Sequence, residues 1–169
     1  MDEIAALLEP QIPALRRYAW ALLRDRDAAD DLVQDTLERA ISRWHLRRRD
    51  RDLRAWLLAI ERNLFLSAAR QRARRGLHLR DDAIEDAVSE AGHQDGALHG
   101  RDVLAALDTL PEEQRSVLLL IGVEDLSYDE AARMLDVPLG TVMSRLHRGR
   151  EKLRQFMETG RSAVLRRIK

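Results

Sequence analysis

Residues 126–154 read LSYDEAARMLDVPLGTVMSRLHRGREKLR, and they contain the clearest structural signals in the second half of the chain. Ser127 and Glu130 have the spacing of a capping box, in which a hydroxyl and a carboxylate satisfy each other's free backbone amides. The spacing predicts a short helix that packs through its alanines and ends near Leu135. Residues 136–138 are Asp-Val-Pro, and proline ends one helix while tolerating the first turn of the next. Two helices joined by a tight turn are therefore predicted.

The helix after this turn has an apolar and a polar face. Four residues at helical spacing form a stripe that we expect to be buried: Val142, Leu146, Gly149 and Leu153. We expect the following to point outward, with Met143 and His147 beside them: Thr141, Ser144, Arg145, Arg148 and Lys152. Hydroxyl and guanidinium groups contact base edges and phosphates in the major groove. The pattern favours a DNA-binding helix-turn-helix over a purely structural helix pair. Asp136 stands where glycine is common in such turns, so slight strain is expected there.

The composition agrees with an all-α fold. Of the 169 residues, 45% are apolar and 4% are aromatic, and leucine, alanine and arginine dominate over β-branched residues. This length allows one domain or two small ones, and this composition favours helices over strands. Before the helix-turn-helix, Pro111 suits the first turn of a helix that reaches about Val123, with its core run over residues 117–121.

The first half of the chain contains a helix with an acidic face. Asp27 is the predicted N-cap of a helix that runs to about Trp44. Its predicted core stripe is Val33, Leu37, Ala40, Ile41 and Trp44. The opposite stripe is almost wholly acidic and consists of Asp27, Asp31, Gln34, Asp35 and Glu38. Such a stripe either lies in solvent or meets a basic partner.

A charged loop, residues 45–53, precedes a second long helix from about Arg54 to Arg74. The predicted core stripe of this helix is Leu57, Ile60, Leu64 and Ala68. A second face carries Trp56, Asn63, Ser67, Arg70 and Arg74. Aromatic rings stack on bases, Asn contacts base edges and Arg neutralises phosphate, so this face suits a nucleic acid. The alternative is a Trp packed under the adjoining loop beside a solvated basic face.

Charge alternates along the chain although the totals, 29 basic and 29 acidic residues, cancel. Residues 43–75 carry a net charge of +8 and residues 138–169 a net charge of +7, whereas residues 76–137 carry −11. We interpret residues 76–100 as an acidic and mostly extended linker, with a short helical piece near residues 83–88. The predicted organisation is a helical domain over residues 1–75, this linker, and a helix-turn-helix domain over residues 101–169.

Several classes of function are not expected. Cysteine is absent, and no two of the five histidines have the spacing that would direct both at one metal ion. No Gly-rich phosphate loop or catalytic triad stands out, so we expect a protein that is not an enzyme and that needs no metal or cofactor. There is no sign of a signal peptide or of the roughly 18 to 20 apolar residues that span a bilayer. The expected location is the cytoplasm.

The chain resembles the extracytoplasmic-function (ECF) sigma factors of the sigma-70 family over nearly its whole length. Residues 27–44, DAADDLVQDTLERAISRW, look like their polymerase-clamp helix, and residues 53–75, LRAWLLAIERNLFLSAARQRARR, look like their −10 helix. Residues 126–154 look like their −35 helix-turn-helix. The order of the three motifs, with an acidic linker between the second and the third, makes the resemblance specific.

The resemblance implies a factor that directs core RNA polymerase to stress-responsive promoters, built from two four-helix domains. The acidic stripe would bind the β′ clamp helices, and the second domain would dock on the β flap. The loop 45–53 would capture a flipped base of the −10 element, and Trp56, Asn63, Ser67, Arg70 and Arg74 would hold the opened strand. The −35 element would be contacted by Thr141, Ser144, Arg145, His147 and Arg148.

The resemblance also implies an anti-sigma factor, commonly membrane-anchored, that holds the protein inactive. Two other functions remain open from the residues. One is a helix-turn-helix regulator that does not engage polymerase, although it leaves the acidic stripe unexplained. The other is a sigma mimic that sequesters an anti-sigma factor and never binds DNA, although such a mimic should lack the two basic faces.

Overall fold

The computed structural model describes residues 2–48, 50–76 and 103–167, and all regular structure within these ranges is helical. The chain forms two compact units, the first containing Met1–Asp82 and the second nearly all of the rest. The predicted linker and its short helix near residues 83–88 lie outside the described residues, except for Gly76, which is the last residue of a helix. The domain boundaries therefore remain predictions.

Where the structure describes it, residues 2–48 and 50–76, the first unit consists of four α-helices. These are α1 (Asp2–Leu8), α2 (Ile12–Leu23), α3 (Arg26–Ser42) and α4 (Leu53–Gly76), with 3₁₀ turns at Glu9–Gln11 and Trp44–Leu46. Helices α2, α3 and α4 all pack against one another. The fully or almost fully buried side chains at their centre include Leu15, Tyr18, Ala19, Val33, Ala40, Leu57 and Leu58. Each large side chain removed from water in this way contributes about 1.5–3 kcal/mol.

Helix α3 begins two residues earlier than the sequence predicts. The cap is Asp25, whose extended backbone places Oδ1 2.9 Å from the backbone N–H of Ala28, which donates to it. The prediction of Asp27 as N-cap is wrong because α2 ends sharply at Arg24, a residue in the left-handed region with a φ of 58°. The connection is therefore very short, and Asp27 lies inside the first turn of α3.

The buried stripe of α3 is also rotated from the predicted one. Its buried residues are Ala29, Leu32, Val33, Thr36 and Ala40. Leu37 and Trp44 are only half-buried, and Ile41 is 49% exposed, so the assignment of Ile41 to the core is wrong. Thr36 occupies the core because its hydroxyl donates to the carbonyl of Leu32 at 2.7 Å, which satisfies the buried polar group. Trp44 lies beyond the helix, in the 3₁₀ turn.

Helix α4 is longer than expected at both ends, and its core differs from the predicted stripe. The Asp52 carboxylate accepts a hydrogen bond from the backbone N–H of Ala55 at 2.8 Å, which starts the helix at Leu53. Leu57 is buried as predicted, but the other fully buried residues are Leu58 and Glu61. Ile60, Leu64 and Ala68 are half-buried. A buried Glu61 was not predicted because charged side chains are rarely found in a protein core.

The two candidate caps of α3 can be distinguished by a matched pair of substitutions. Asp25→Ala should lower the free energy of unfolding of the first unit by about 0.5–2 kcal/mol, the usual effect of removing an N-cap carboxylate. Asp27→Ala should change it by only about 0.3–1 kcal/mol, since that carboxylate interacts with the helix dipole alone. Urea denaturation followed by circular dichroism measures both. An Asp27→Ala variant as unstable as Asp25→Ala would contradict the assignment of the cap.

The second unit also contains four helices in its described part. Residues 103–108 form α5, followed by α6 (Glu112–Gly122), α7 (Tyr128–Leu135) and α8 (Leu139–Arg167). The buried residues at its centre include Ala106, Leu110, Val117, Leu119, Leu120, Leu126, Ala131, Val142 and Leu146. Pro111 was predicted in the first turn of α6, but the helix begins at the next residue, Glu112. Pro111 is the N-cap of α6, with an extended backbone and no side-chain hydrogen bond, and Glu112 and Glu113 occupy the first turn.

The helix-turn-helix forms as predicted. The N–H of Ser127 donates to Glu130 Oε2 at 2.8 Å and the N–H of Glu130 donates to Ser127 Oγ at 3.2 Å, which completes the capping box. At the turn, Asp136 adopts a left-handed conformation with a φ of 53°. The N–H of Val137 then donates to the carbonyl of Ala132 at 3.1 Å, the bond that closes a Schellman turn. Asp136 thus has the left-handed backbone at which strain was expected, and it directly follows the last residue of α7.

Helix α8 packs closely on α6. The predicted stripe is buried at Val142, Leu146 and Gly149, and Leu153 is half-buried. A Cβ atom at Gly149 would lie 2.8 Å from Leu118 Cδ1, well inside van der Waals contact. The absence of a side chain at this position therefore allows the two helices to approach each other.

Among the helices described, none is both long and apolar enough to cross a membrane.

Candidate nucleic-acid and polymerase interfaces

The acidic face of α3, defined as Asp27, Asp31, Gln34, Asp35 and Glu38, is exposed at every position. The side-chain amide of Gln34 donates to Glu38 Oε1 at 3.1 Å, so the one uncharged member of the face is tied to an acidic one. Because the core of α3 is taken by the opposite side of the helix, the acidic face has no structural role in the packing of the first unit. It is free to meet a partner or to remain in solvent.

The acidic face continues into an apolar end. Ile41 follows Glu38 by three residues and Gln34 by seven, so it lies on the same side of α3. Ile41 is 49% exposed, and Leu46, in the following 3₁₀ turn, is 64% exposed. This end was not predicted from the sequence, because the periodicity of α3 assigned Ile41 to the core. The helical spacing from Gln34 and Glu38 is the signal that could have identified it.

The candidate −10 face of α4 is mostly exposed. Asn63, Ser67, Arg70 and Arg74 are all exposed, and Arg70 Nη2 donates to Ser67 Oγ at 3.5 Å. The structure therefore brings these four predicted site residues to the surface of one helix. Two guanidinium groups and two uncharged hydrogen-bonding side chains in a row can contact both phosphates and bases.

Trp56 differs from the other predicted members of this face. It is half-buried, and its ring makes an edge-to-face contact with Trp44, with centroids 6.0 Å apart and planes at 75°. The guanidinium carbon of Arg47 lies 5.2 Å from the centroid of the Trp44 ring. Trp56 thus packs against the 3₁₀ turn at the start of the loop, which matches the alternative interpretation for this residue. Its contact with DNA remains a prediction.

Part of the positive charge in the loop 45–53 is neutralised locally. Arg48 Nη2 lies 3.1 Å from Asp50 Oδ2, and both side chains are exposed. The hydrogen bond from Arg48 lowers the pKa of Asp50 below its usual value. Arg49 lies outside the described residues. The phosphate-binding capacity of the loop is therefore smaller than its arginine content suggests.

The predicted −35 residues on α8 are divided between exposed and half-buried positions. His147 and Arg148 are exposed, whereas Thr141, Ser144 and Arg145 are half-buried. The Ser144 hydroxyl donates to the carbonyl of Thr141 at 3.0 Å within the helix. The outward surface of the first turns of α8 also includes two large apolar side chains that were not predicted as site residues. These are Leu139, 42% exposed, and Met143, 51% exposed.

Arg145 points toward α6 and not straight outward as predicted. Its Nη2 lies 3.4 Å from Glu113 Oε2, and its side chain is only 23% exposed. Arg145 is next to Leu146 and three residues after Val142, so it lies at the edge of the buried stripe. From that position its head group reaches the carboxylate on α6. This ion pair links the candidate recognition helix to the helix that supports it.

Further along α8, a second ion pair occupies Arg154. Its Nη2 lies 2.7 Å from Glu151 Oε2, and the pair lies within one turn of the helix. Hydrogen bonds from Arg154 and Gln155 lower the pKa of Glu151, and the same interaction raises the pKa of Arg154. The other exposed basic side chains in this part of α8 are Arg148 and Arg150, which precede the pair, and Lys152, which lies between its two members. Within the described ranges, no group of three or more His, Asp or Glu side chains could hold a metal ion.

Both units match models of known domain families. Residues 100–153 match the family described as Sigma-70, region 4, and residues 8–60 match the Sigma2 domain of PhyR. The first match covers the whole helix-turn-helix, and the second covers the acidic face and the start of α4. Fold and sites together define a sigma-70-type transcription factor.

Two relatives and one solved structure extend this likeness over most of the chain. The ECF RNA polymerase sigma factor EcfG of Rhodopseudomonas palustris is 39% identical over 142 residues, 84% of this chain and 78% of that protein. The ECF RNA polymerase sigma factor SigE of Mycolicibacterium smegmatis is 39% identical over 161 residues, 87% of this chain and 60% of that protein. In Bartonella quintana, the sigma factor RpoE was solved in complex with the anti-sigma factor NepR. That RpoE chain is 34% identical, with a TM-score of 0.83, and the match covers 94% of this chain and 98% of that one.

The chain belongs to the ECF RNA polymerase sigma factors. The family membership and the structure confirm two predictions made from the sequence, the resemblance to ECF sigma factors and the all-α fold. These relatives are sigma factors and not enzymes.

Proposed function

We propose that this sigma factor binds core polymerase through the acidic face of α3 and holds the opened −10 strand along α4. It reads the −35 element with the exposed surface of α8. The observation that carries the proposal is the separation of two opposite surfaces within one unit. Helices α3 and α4 pack against each other, and yet the outward side of one is acidic and the outward side of the other carries Arg70 and Arg74.

Opposite charges on neighbouring helices suit a protein with two partners. An acidic surface repels DNA, so the face of α3 is unsuited to a phosphate backbone and fits a basic protein surface, as the β′ clamp helices would offer. The arginines of α4 release counterions when they meet phosphates, and this supplies affinity without sequence preference. One small unit can therefore connect polymerase to a single DNA strand.

The apolar end of the acidic face gives the polymerase contact an anchor. Charged pairs at the rim of an interface set orientation and association rate, whereas buried apolar side chains supply most of the affinity. Ile41 is placed to be covered by the same partner that meets the carboxylates. The proposed polymerase contact therefore includes Ile41, although the sequence assigned it to the core.

In the second unit, the proposed −35 contact rests mainly on His147 and Arg148. Both are exposed on the helix that follows the helix-turn-helix turn. Arg148 has the length and geometry to pair with guanine in the major groove. Arg145 takes a supporting role because Glu113 already binds it. Docking of this unit on the β flap is part of the same proposal.

An anti-sigma factor is the proposed regulatory partner. The support is the likeness to RpoE of Bartonella quintana, a sigma factor solved with its anti-sigma factor NepR. The two other functions considered from the sequence fit less well. A regulator that ignores polymerase has no use for the acidic face, and a mimic that never binds DNA has no use for Asn63, Arg70 and Arg148 on the surface.

Run-off transcription tests the proposal directly. The full chain, added to core RNA polymerase and sheared genomic DNA of the source organism, should give transcripts with defined start sites, and mapping these starts should reveal paired −10 and −35 elements. Core polymerase without the chain is the control and should initiate only at ends and nicks. Starts that do not change when the chain is added would contradict the proposal.

A further inference from the structure

We infer that Met143 is a specificity-determining residue of the −35 contact, which recognises the C5-methyl group of thymine in the major groove. The inference rests on the proposed role of α8 as the −35 reader and adds a residue that is not part of that proposal. It starts from an apolar side chain where a basic helix face would be expected to carry a charge.

The exposure of Met143 is the first observation. Its side chain is 51% exposed, and Leu139, one turn earlier on the same side of α8, is 42% exposed. A single exposed apolar residue is ordinary on a protein surface, but two in consecutive turns form a small apolar strip. This strip lies at the N-terminal end of the helix, the part that contacts base edges in helix-turn-helix proteins.

The ion pair of Arg145 is the second observation. Because Glu113 holds Arg145 against α6, the long side chains left exposed near the start of α8 are those of Leu139, Met143, His147 and Arg148. Only one of these, Arg148, is a permanent cation. Base readout at this end of the helix therefore depends on apolar contacts more than the sequence suggests.

Gly140 supplies the third observation. It is exposed, and a Cβ atom built on it would meet nothing within 4 Å. Gly140 lies three residues before Met143, so this neighbouring position adds no side chain that would keep the helix away from a groove floor. A close approach brings a flexible thioether within reach of base edges.

The chemistry of the groove identifies the target. Among the groups that base pairs present in the major groove, the thymine methyl is the apolar one, and the others are hydrogen-bond donors and acceptors. A thioether cannot neutralise a phosphate and is a poor hydrogen-bond acceptor. Contact with a thymine methyl is therefore the favourable use of Met143 on a DNA-reading face.

Replacing thymine by uracil tests the inference, because it removes the methyl group and leaves base pairing intact. Holoenzyme reconstituted from core polymerase and the full chain is titrated with promoter duplexes in which each −35 thymine is replaced in turn by uracil. Wild type should bind at least one thymine duplex about fourfold more tightly than its uracil counterpart, the factor expected for one buried methyl-sized group. Met143→Ala should bind both duplexes equally.

Two variants of the same helix serve as controls. Met157→Ala removes a methionine about 21 Å further along the axis of α8 and should keep the preference for thymine. Arg148→Ala should weaken binding to both duplexes, about tenfold or more, without changing their ratio. Unchanged melting temperatures of the variants establish that they fold.

The outcomes separate this inference from the proposed function. If wild type prefers the promoter to random DNA but Met143→Ala keeps the full thymine preference, or wild type shows none, the inference is overturned and the −35 role stands. If wild-type holoenzyme shows no preference for the −35 element at all, the proposed function fails with it. A Met143→Ala variant that binds DNA normally and loses affinity for a purified anti-sigma factor would assign Met143 to a protein contact instead.

Discussion

Reversing two charges of the acidic face, as Asp31→Lys together with Asp35→Lys, should abolish co-purification of the chain with core RNA polymerase. Both residues are exposed and lie on the side of α3 that is not used for packing, so the first unit should fold normally. A basic partner that now meets two lysines loses two attractive pairs and gains repulsion. Like-charge contacts of this kind cost several kcal/mol, enough to lower affinity by about a hundredfold or more.

A matched control separates this effect from a general change in charge. Glu3→Lys with Glu9→Lys changes the net charge equally, in the same unit, at exposed positions outside α3. This variant should co-purify with polymerase like wild type. Undiminished binding of the Asp31/Asp35 variant, measured by pull-down and by fluorescence anisotropy, would show that the acidic face is only a solvated surface.

Gly149→Val should destabilise the second unit and weaken −35 binding at the same time. A Cβ atom at this position already lies 2.8 Å from Leu118 Cδ1, and valine adds two further methyl groups in the contact between α6 and α8. Overpacking of this kind costs about 1–3 kcal/mol because neighbouring side chains must leave their rotamers or the helices must separate. Helix α8 carries the proposed −35 readers, so its displacement should also lower promoter affinity.

Gly140→Val in the same helix is the control for this substitution. Nothing lies within 4 Å of a Cβ atom at Gly140, and valine has a slightly higher helix propensity than glycine. Its melting temperature should therefore equal that of wild type or exceed it by a small amount. Equal melting temperatures for the two variants would mean that the close approach of α6 and α8 contributes nothing to stability.

Local patterns in the sequence predicted much of the second unit correctly. The capping box of Ser127 and Glu130, the left-handed residue at Asp136 and the buried stripe from Val142 to Gly149 all depend on residues within a few positions of one another. Interactions over so short a distance are set by backbone geometry and hydrogen bonding, which do not change with the rest of the fold. The exposure of the acidic face followed from the same helical periodicity.

The errors concern residues whose surroundings are supplied by another helix. Helical periodicity showed that α3 is amphipathic, but the packing of α2 and α4 determines which of its side chains are buried. These helices bury Thr36 and leave Ile41 exposed. Glu61 is buried although its side chain would ordinarily be expected in solvent. The burial of Thr36 and of Glu61 could not be predicted from their own neighbours in the chain, because other helices supply the cover.

The helices, the turn between α7 and α8 and the charge of each outer face were thus predictable from the sequence, because they depend on local spacing and composition. Which candidate site residues stay exposed to a partner depends instead on the tertiary structure. Packing of α6 beside α8 places Glu113 where it binds Arg145, and the edge-to-face contact with Trp44 leaves Trp56 half-buried. In each case the side chain contacts the helix or turn that packs against it, and that element comes from a different part of the chain.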